Sequence, residues 1–462
     1  GKLIDAKFTS SATQKLSLGL GINAPGYIPQ KGFSSTIVLD QLDASAWQSW
    51  LDKNFPESAK QSNAKPAASS DFDLDTISAK IKNLKLADRS FKDVAIQATH
   101  NKEQWNASIQ SPVAKGLLQW QSARAGFPQG KLTARLQQLV IENTETGDTI
   151  TKGVNKRIQK IPALDIQSDE LFFNGKSYGK MELLASNDKN DWKIDKLSLK
   201  TADAQINATG RWILPKESKQ LNAGKTELNF DLDINNAGKL LSKLGFPKAI
   251  DDGSGKLVGQ INWANAPYSF DIKSLNAELS LDLIKGTILQ VDPGVARLLG
   301  VLSFQGLSRI ATLDIGGVLK PIVSQGTPFD RITSTGSINN GIANIKDLSM
   351  RGPQGNIRLT GKADLIQENQ DIRITVVPNF NAGSASLAYT FINPIIGLST
   401  MVGQFLIADE LSKLFQLDYL VQGTWANPQI IALDNKGKPL DEKQLKDIRD
   451  KSLLKQQTPT KK

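Results

Sequence analysis

The stretch ISAKIKNLKLADRSFKDVAIQATHNKEQWNASIQSPVAKGLLQW, Ile77–Trp120, decides the architecture because its pattern returns downstream. It reads as an apolar strand, a turn, a strand, a polar hairpin turn ahead of Trp105, another strand, and small apolar residues leading to Trp120. LDIQSDELFFNGKSYGKMELLASNDKNDWKIDKLSLKTADAQINATGRW, Leu164–Trp212, repeats that order with Trp192 behind its hairpin turn. A third unit begins at Phe230 and inserts a short helix near Ala237–Leu244 before Trp263; a fourth runs from Phe329 to Trp425. Repetition at this scale outranks any local motif in setting the fold.

Inside the units the alternation is strict. Ala204, Ile206, Ala208, Gly210 and Trp212 point one way, as do Ala277, Leu279, Leu281 and Leu283, and Ile357, Leu359, Gly361, Ala363 and Leu365. Their neighbours are mostly charged or polar, so each strand has one wet and one apolar face. Short antiparallel strands joined by turns such as NKEQ, NDKND and DDGSG make a mainly β protein: a sandwich, a barrel or a long curved sheet.

Working outward, residues 1–53 form a β-rich unit of three strand-like stretches, KLIDAKFTS, QKLSLGLGI and FSSTIVLDQL. A short helix follows, capped by Asp43, with Trp47, Trp50 and Leu51 on one side. NFPESAKQSNAKPAASS, residues 54–70, has linker composition. Residues 71–290 carry repeated β units, 291–430 a C-terminal β unit, and 431–462 a basic tail with the composition of a mobile segment. That tail explains much of the net charge of +10, since Asn435–Lys462 holds nine Lys or Arg against four Asp or Glu. A localised tail, with the remaining charge spread thinly, argues against nucleic acid as partner. The chain starts at Gly1 without a signal-peptide layout, which reads as a fragment or processed chain.

Within the C-terminal unit, Ile374–Ala408 contains no Asp, Glu, Lys or Arg, although the chain is 22% charged. ITVVPNFNAG reads as a strand ending in a turn, and SASLAYTF alternates like a strand. Asn393 and Pro394 then open a helix, cap and first position, over 394–415. Its apolar part, Pro394–Ala408, would be about 22 Å long, short of the ~30 Å hydrocarbon core of a bilayer. It is therefore a buried or interfacial helix rather than a span. In this stretch Leu387, Tyr389, Phe391, Ile395, Ile396, Leu398, Met401, Val402, Phe405, Leu406 and Ile407 are the candidates for membrane contact or for capping a groove. Asp292-Pro293 announces a second helix over 293–304.

The residues for catalysis are missing from the pattern. With no cysteine there is no disulfide, thiolate metal site or cysteine nucleophile. One histidine, His100 in the polar turn THNKEQ, cannot make a histidine metal site, and no G-x-S-x-G elbow accompanies it. Gly224-Lys225-Thr226 lacks the rest of a phosphate loop, and Asp231 and Asp233 share a wet strand face. The recurring G-x-W-x-x-P at Trp212 and Trp425 reads as strand-end packing. No enzyme activity and no cofactor follow; a β-helical polysaccharide enzyme would need an acidic cluster assembled by the fold.

One physical consequence remains. A long sheet with a continuous apolar face must be covered by protein or by something else, and an elongated groove could hold acyl chains at about 0.8 kcal/mol per buried CH2. The candidate groove residues are Ala204, Ile206, Ala208, Ala277, Leu279, Leu281, Leu283, Ile357, Leu359, Ala363 and Leu365.

Three runs, DPGVARLLGVLSFQGLSRIATLD, FDRITSTGSINNGIANIKDLSMRGPQGNIRLTGKADLIQENQDIRITVVP and NPIIGLSTMVGQFLIADELSKLFQLDYLVQGTWANP, resemble the C-terminal part of large AsmA-like proteins of Gram-negative bacteria. The resemblance is specific over about Val291–Pro428 and looser upstream. It implies an elongated, curved antiparallel sheet forming a U-shaped groove, with a few short helices inside or capping it. It also implies a periplasmic bridge that carries phospholipids between inner and outer membrane. The inner-membrane anchor would lie in an N-terminal part outside this chain, and the C-terminal end would reach the outer membrane. The alternative is a scaffold or assembly factor for outer-membrane proteins, using sheet edges.

Overall fold

The computed structural model describes residues 3–11, 14–44, 46, 74–86, 89–101, 104–141, 162–188, 191–214, 224–267, 269–289, 326–353, 355–378, 416–425, 427–434 and 436–440. They contain 22 strands, so the fold is mainly β, and most strand pairs are antiparallel. The helices expected over 293–304 and 394–415 and the linker 54–70 lie outside the described residues.

The chain divides into two units, residues 1–201 with 207–224, and residues 202–206 with 225–462. In the first, β1 (Ile4–Ser11), β2 (Gln14–Ile22), β3 (Gly32–Asp43), β4 (Leu74–Leu86), β5 (Arg89–Asn101), β6 (Gln104–Gln110), β7 (Ala114–Gln121), β8 (Lys131–Ile141) and β9 (Ala163–Phe173) lie side by side in chain order. The two-residue β10 (Lys176–Ser177) and then β11 (Lys180–Asp188) pair with β9, and β12 (Asp191–Lys200) pairs with β11. Sequence positions of β13 (Ala204–Ile213) fall in both units.

The second unit is a meander. β14 (Lys225–Ile234), β15 (Ile250–Ala264), β16 (Asn276–Ile288), β17 (Thr327–Asn339), β18 (Ile342–Gly352), β19 (Gly355–Asp364), β20 (Asn369–Pro378), β21 (Leu417–Thr424) and β22 (Asn427–Leu433) pair in succession, all antiparallel. The inserted helix is present as α1 (Ala237–Leu244): Asn236 accepts from Lys239 N at its start, and Gly245 closes it at φ +105°. Its Leu240 and Leu241 pack on the core of the unit.

Three pairings depart from an all-antiparallel sheet: β2–β3, β3–β4 and β8–β9 are parallel. Parallel neighbours oblige the chain to return to its starting end, usually through a dozen or more residues. The connections 44–73 and 142–162 supply that length, and they open the first two repeats at β4 and β9. The shorter return from β2 to β3 lies directly on β2. A Cβ on Gly19 would sit 2.2 Å from the Tyr27 carbonyl oxygen, and one on Gly21 2.0 Å from that of Ala24. Gly26 N donates to Asp5 Oδ2 at 2.9 Å, and the Ser34 hydroxyl donates to the Tyr27 carbonyl.

Two expected turns also changed place. DDGSG lies inside β15, where Asp252 (φ +55°) and Gly253 (φ +83°) kink the strand without ending it. His100 belongs to β5, opposite Trp105, and the pairing continues beyond it to Asn101 and Gln104. Of the turn read over 187–191, Asn187 and Asp188 end β11 and Asp191 begins β12, and residues 189–190 lie outside the described residues.

Candidate functional site: the apolar sheet faces

In the second unit the register lines the period-two positions into rows that cross the ladder. One row runs Leu232, Leu257, Leu281, Ser334, Leu348, Leu359, Ile374, Tyr419, Ala432. Beside it run Ile234, Gly255, Leu283, Ile332, Met350, Ile357 and Val376. On the other side, Phe230, Gly259, Leu279, Gly336, Ile345, Gly361, Ile372, Val421 and Ile430 alternate large residues with glycine over most of their length. At about 4.8 Å per strand, these rows extend roughly 40 Å.

The glycines have a geometric reason. Gly361 stands at φ +143° opposite Ile372, and an added Cβ would meet the Asp371 carbonyl oxygen at 2.3 Å. Gly255, φ +155°, repeats the relation to Leu283 with 2.0 Å to the Asp282 oxygen. Only a residue without Cβ lets the neighbouring strand come this close.

The candidate groove residues fall on this surface to different depths. Leu283, Ile357, Leu359, Ala363 and Ala277 are buried, while Leu279 and Leu281 are half-buried. Leu365 is also half-buried but sits one residue beyond β19, so it belongs to the turn. On β13, Ala204 and Ala208 are buried and Ile206 half-buried. The membrane-contact candidates between Leu387 and Ile407 lie outside the described residues.

The opposite face is ionic. Lys256 Nζ lies 2.7 Å from Asp231 and 3.7 Å from Asp233, the wet pair read from sequence. Arg331 donates to Asp282 through Nε at 2.9 Å and Nη2 at 2.6 Å, and this hydrogen-bonded guanidinium holds the Asp282 carboxyl below its usual range.

The first unit has apolar rows of its own. Ile77, Ala98, Ala107, Leu118, Ala134, Ile166, Leu183 and Leu197 are cross-strand neighbours from β4 to β12. Next to them lie His100, Trp105, Trp120, Leu132, Leu164, Ala185 and Ile194. The His100 and Trp105 rings stack at 4.7 Å between centroids. Asp165, at the wet side of β9, is penalised by burial, but Arg135 at 2.8 Å and Lys131 at 3.4 Å bring its carboxyl below the usual range.

A cavity of about 590 Å3 lies against β4–β8. Three neighbouring rows line it: Ile77, Ala98, Ala107 and Leu118, flanked by Thr76, Thr99, Asn106, Gln119 and Thr133 on one side and Ser78, Gln97, Ser108, Leu117 and Arg135 on the other. The trough thus takes in Ile77, Ala98, Ala107 and Leu118, the β4–β7 part of the first unit's apolar row, and its surface is mainly apolar.

The tryptophans behave as strand-end packing. Trp212, Trp263 and Trp425 are 2%, 4% and 3% exposed, and Trp263 Nε1 donates to the Ala266 carbonyl at 3.2 Å. Among the described residues, no group of three or more His, Cys, Asp or Glu is placed to hold a metal ion, and no helix is long and apolar enough to cross a membrane. Sequence reading missed the glycine row, all three parallel pairs and the Trp105–Trp120 neighbourhood; the recurring Trp behind each hairpin was the signal for the last.

Comparison with known proteins places this surface in context. A family described as YhdP protein matches residues 1–430. The intermembrane phospholipid transporter YhdP of Escherichia coli (strain K12) is 24% identical over 270 residues, covering 58% of this chain and 21% of that protein. The chain therefore spans about a fifth of the length of this curated relative in the matched region. No solved structure matches.

Proposed function

The chain belongs to the YhdP family, and from that premise we propose that it is a section of a non-enzymatic phospholipid conduit whose apolar sheet faces carry acyl chains. The observation that supports this is the register. Across nine consecutive strands the register brings mainly apolar residues and glycines into adjacent rows, a track that a sheet built only for support does not need. The relative is named a transporter of phospholipid between membranes, which matches the chemistry of such rows.

In this reading the chain works in the periplasm as part of a bridge whose inner-membrane anchor belongs to another part of the protein. Leu279 and Leu281, half-buried, are the groove positions open to an acyl chain; Leu283, Ile357 and Leu359 support them from the core. The connections 289–326 and 379–416 both leave from the end of the ladder where Ile288, Thr327, Pro378 and Leu417 lie. The Pro394 segment, carried by the second connection, is proposed to cap the groove or meet the outer membrane there.

The test is Leu279→Arg and Leu281→Arg in the full-length protein, with Ser280→Arg on the wet face as control. A charge on the track should abolish co-purifying phospholipid and transport, because an unpaired charge among acyl chains is strongly disfavoured. Normal lipid content in both track variants would sink the proposal. A second reading, a scaffold for outer-membrane β-proteins, is favoured by β1, which among the described residues pairs with β2 alone and exposes Ile4 and Phe8. Protein adducts from photocrosslinkers in β1, with no lipid adducts from Leu281, would favour it.

A further inference from the structure

We propose that the β6–β8 end of the first unit holds the phosphate of an anionic phospholipid headgroup, with the acyl chains passing onto the adjacent apolar rows. This deepens the conduit reading and rests on it. Residues 104–140 contain Lys115, Arg124, Lys131 and Arg135 and no Asp or Glu, so all ionised side chains in these strands and their connection are cations. Such a surface concentrates anions.

The connection 122–130 folds back between β7 and β8, with Arg124 and Phe127 bridged through their backbones. The Arg124 guanidinium and the Lys131 ammonium both sit over the Phe127 ring, 5.7 and 5.4 Å from its centroid. Arg124 also donates to the neutral Gln121 Oε1 at 3.1 Å, which leaves its charge in place. Asp165 is the carboxylate opposite, and it faces two cations, Arg135 and Lys131, so one positive charge is in surplus.

At the same strand ends, on the apolar face, stands Trp120, linked to the Phe127 turn through Gly130, whose N–H donates to the Phe127 carbonyl at 2.9 Å. Trp120 is 37% exposed, and Gly130 makes room for its ring: a Cβ there would lie 2.7 Å from the indole. An indole with one apolar body and one polar edge suits the boundary between headgroup and acyl chain. Trp105 and Leu132 flank it across the strands. Cations over an aromatic ring in the connection, with a tryptophan on the apolar face at the strand ends that this connection joins, match a phosphodiester joined to acyl chains better than either part alone.

The experiment places benzoylphenylalanine at Leu132, and separately at Leu281, in the full-length protein. Each is irradiated with vesicles containing labelled phosphatidylglycerol or phosphatidylethanolamine. Adducts at Leu132 should favour phosphatidylglycerol, and Arg124→Gln with Lys131→Gln should lower that yield about tenfold, as expected for two partly exposed charge contacts of under ~1 kcal/mol each. Yield at Leu281 should not change, and circular dichroism should show the fold intact. An unchanged phosphatidylglycerol yield at Leu132 in the double variant overturns the proposal. So does binding of glycerol 3-phosphate by calorimetry without a lipid adduct at Leu132, which would make this a site for a free phosphate ester. Absence of lipid adducts at both positions overturns the conduit reading, and this site with it.

Discussion

Leu359 on β19 lies directly opposite Ile374 on β20, and the two are 3% and 0% exposed. Ile374 opens the charge-free stretch, so its first residues are core strand rather than membrane contact. Leu359→Ala should destabilise the second unit by about 2–5 kcal/mol, the cost of a large-to-small change in a packed core. Thermal melting of the purified protein checks this. A shift no larger than that of a surface substitution would show that Leu359 is not supporting the core.

Gly361 is constrained by both its backbone angle and the strand beside it, whereas Gly175, φ +73°, has nothing within 4 Å of a built Cβ. Gly175→Ala should cost about 1 kcal/mol for the left-handed backbone alone. Gly361→Ala should cost more, up to about 3 kcal/mol, because the β20 backbone must also move. Equal melting temperatures for the two variants would contradict the close approach.

Tyr419 is deeply buried in the row that includes Leu359, and burial pushes its phenol up to about 12. The unfolded chain ionises near 10, so folding favours the neutral phenol. Its contribution is complete below pH 10 and is lost as pH rises toward 12. Tyr419→Phe should therefore flatten the alkaline limb of the stability curve. The absorbance change of phenolate formation should also lose a late-titrating component.

At the acid end, Asp165 has its carboxyl held below the ordinary range by Arg135 and Lys131, against the opposing effect of burial. A depressed carboxyl stabilises fully above the unfolded value near 4, and the effect disappears as pH falls through the lower folded value. Melting temperature should be nearly flat from neutrality to about pH 5 with respect to this group, then fall. Asp165→Asn should reduce that fall. An unaltered acid limb would mean that the Arg135 contact does not persist in solution.

For α1, Asn236 caps the helix through Lys239 N at 2.8 Å and also donates to Asp252 Oδ1 at 3.1 Å. Asn236→Ala should cost about 1 kcal/mol, while Asn236→Asp should keep the cap and place a second carboxylate beside Asp252. Hydrogen exchange at the first turn of α1 would report the difference directly.

Sequence by itself determined the strands of both units, the apolar face of each and the place of α1, because these depend on local periods of two and 3.6 residues. Thus Ala277, Leu279, Leu281 and Leu283 could be put on one face from their spacing alone. Tertiary structure decided which strands are neighbours, since register is a relation between distant segments. Only pairing shows that Gly361 meets Ile372, that Leu359 meets Ile374, or that β4 and β9 enter parallel to their predecessors. It also separated Leu279 and Leu281 from the buried Leu283 and Leu359, a difference of depth that periodicity does not encode. The ion pairs of Asp165 with Arg135 and Lys131 were equally invisible, because they form only when β8 and β9 pair across the connection 142–162.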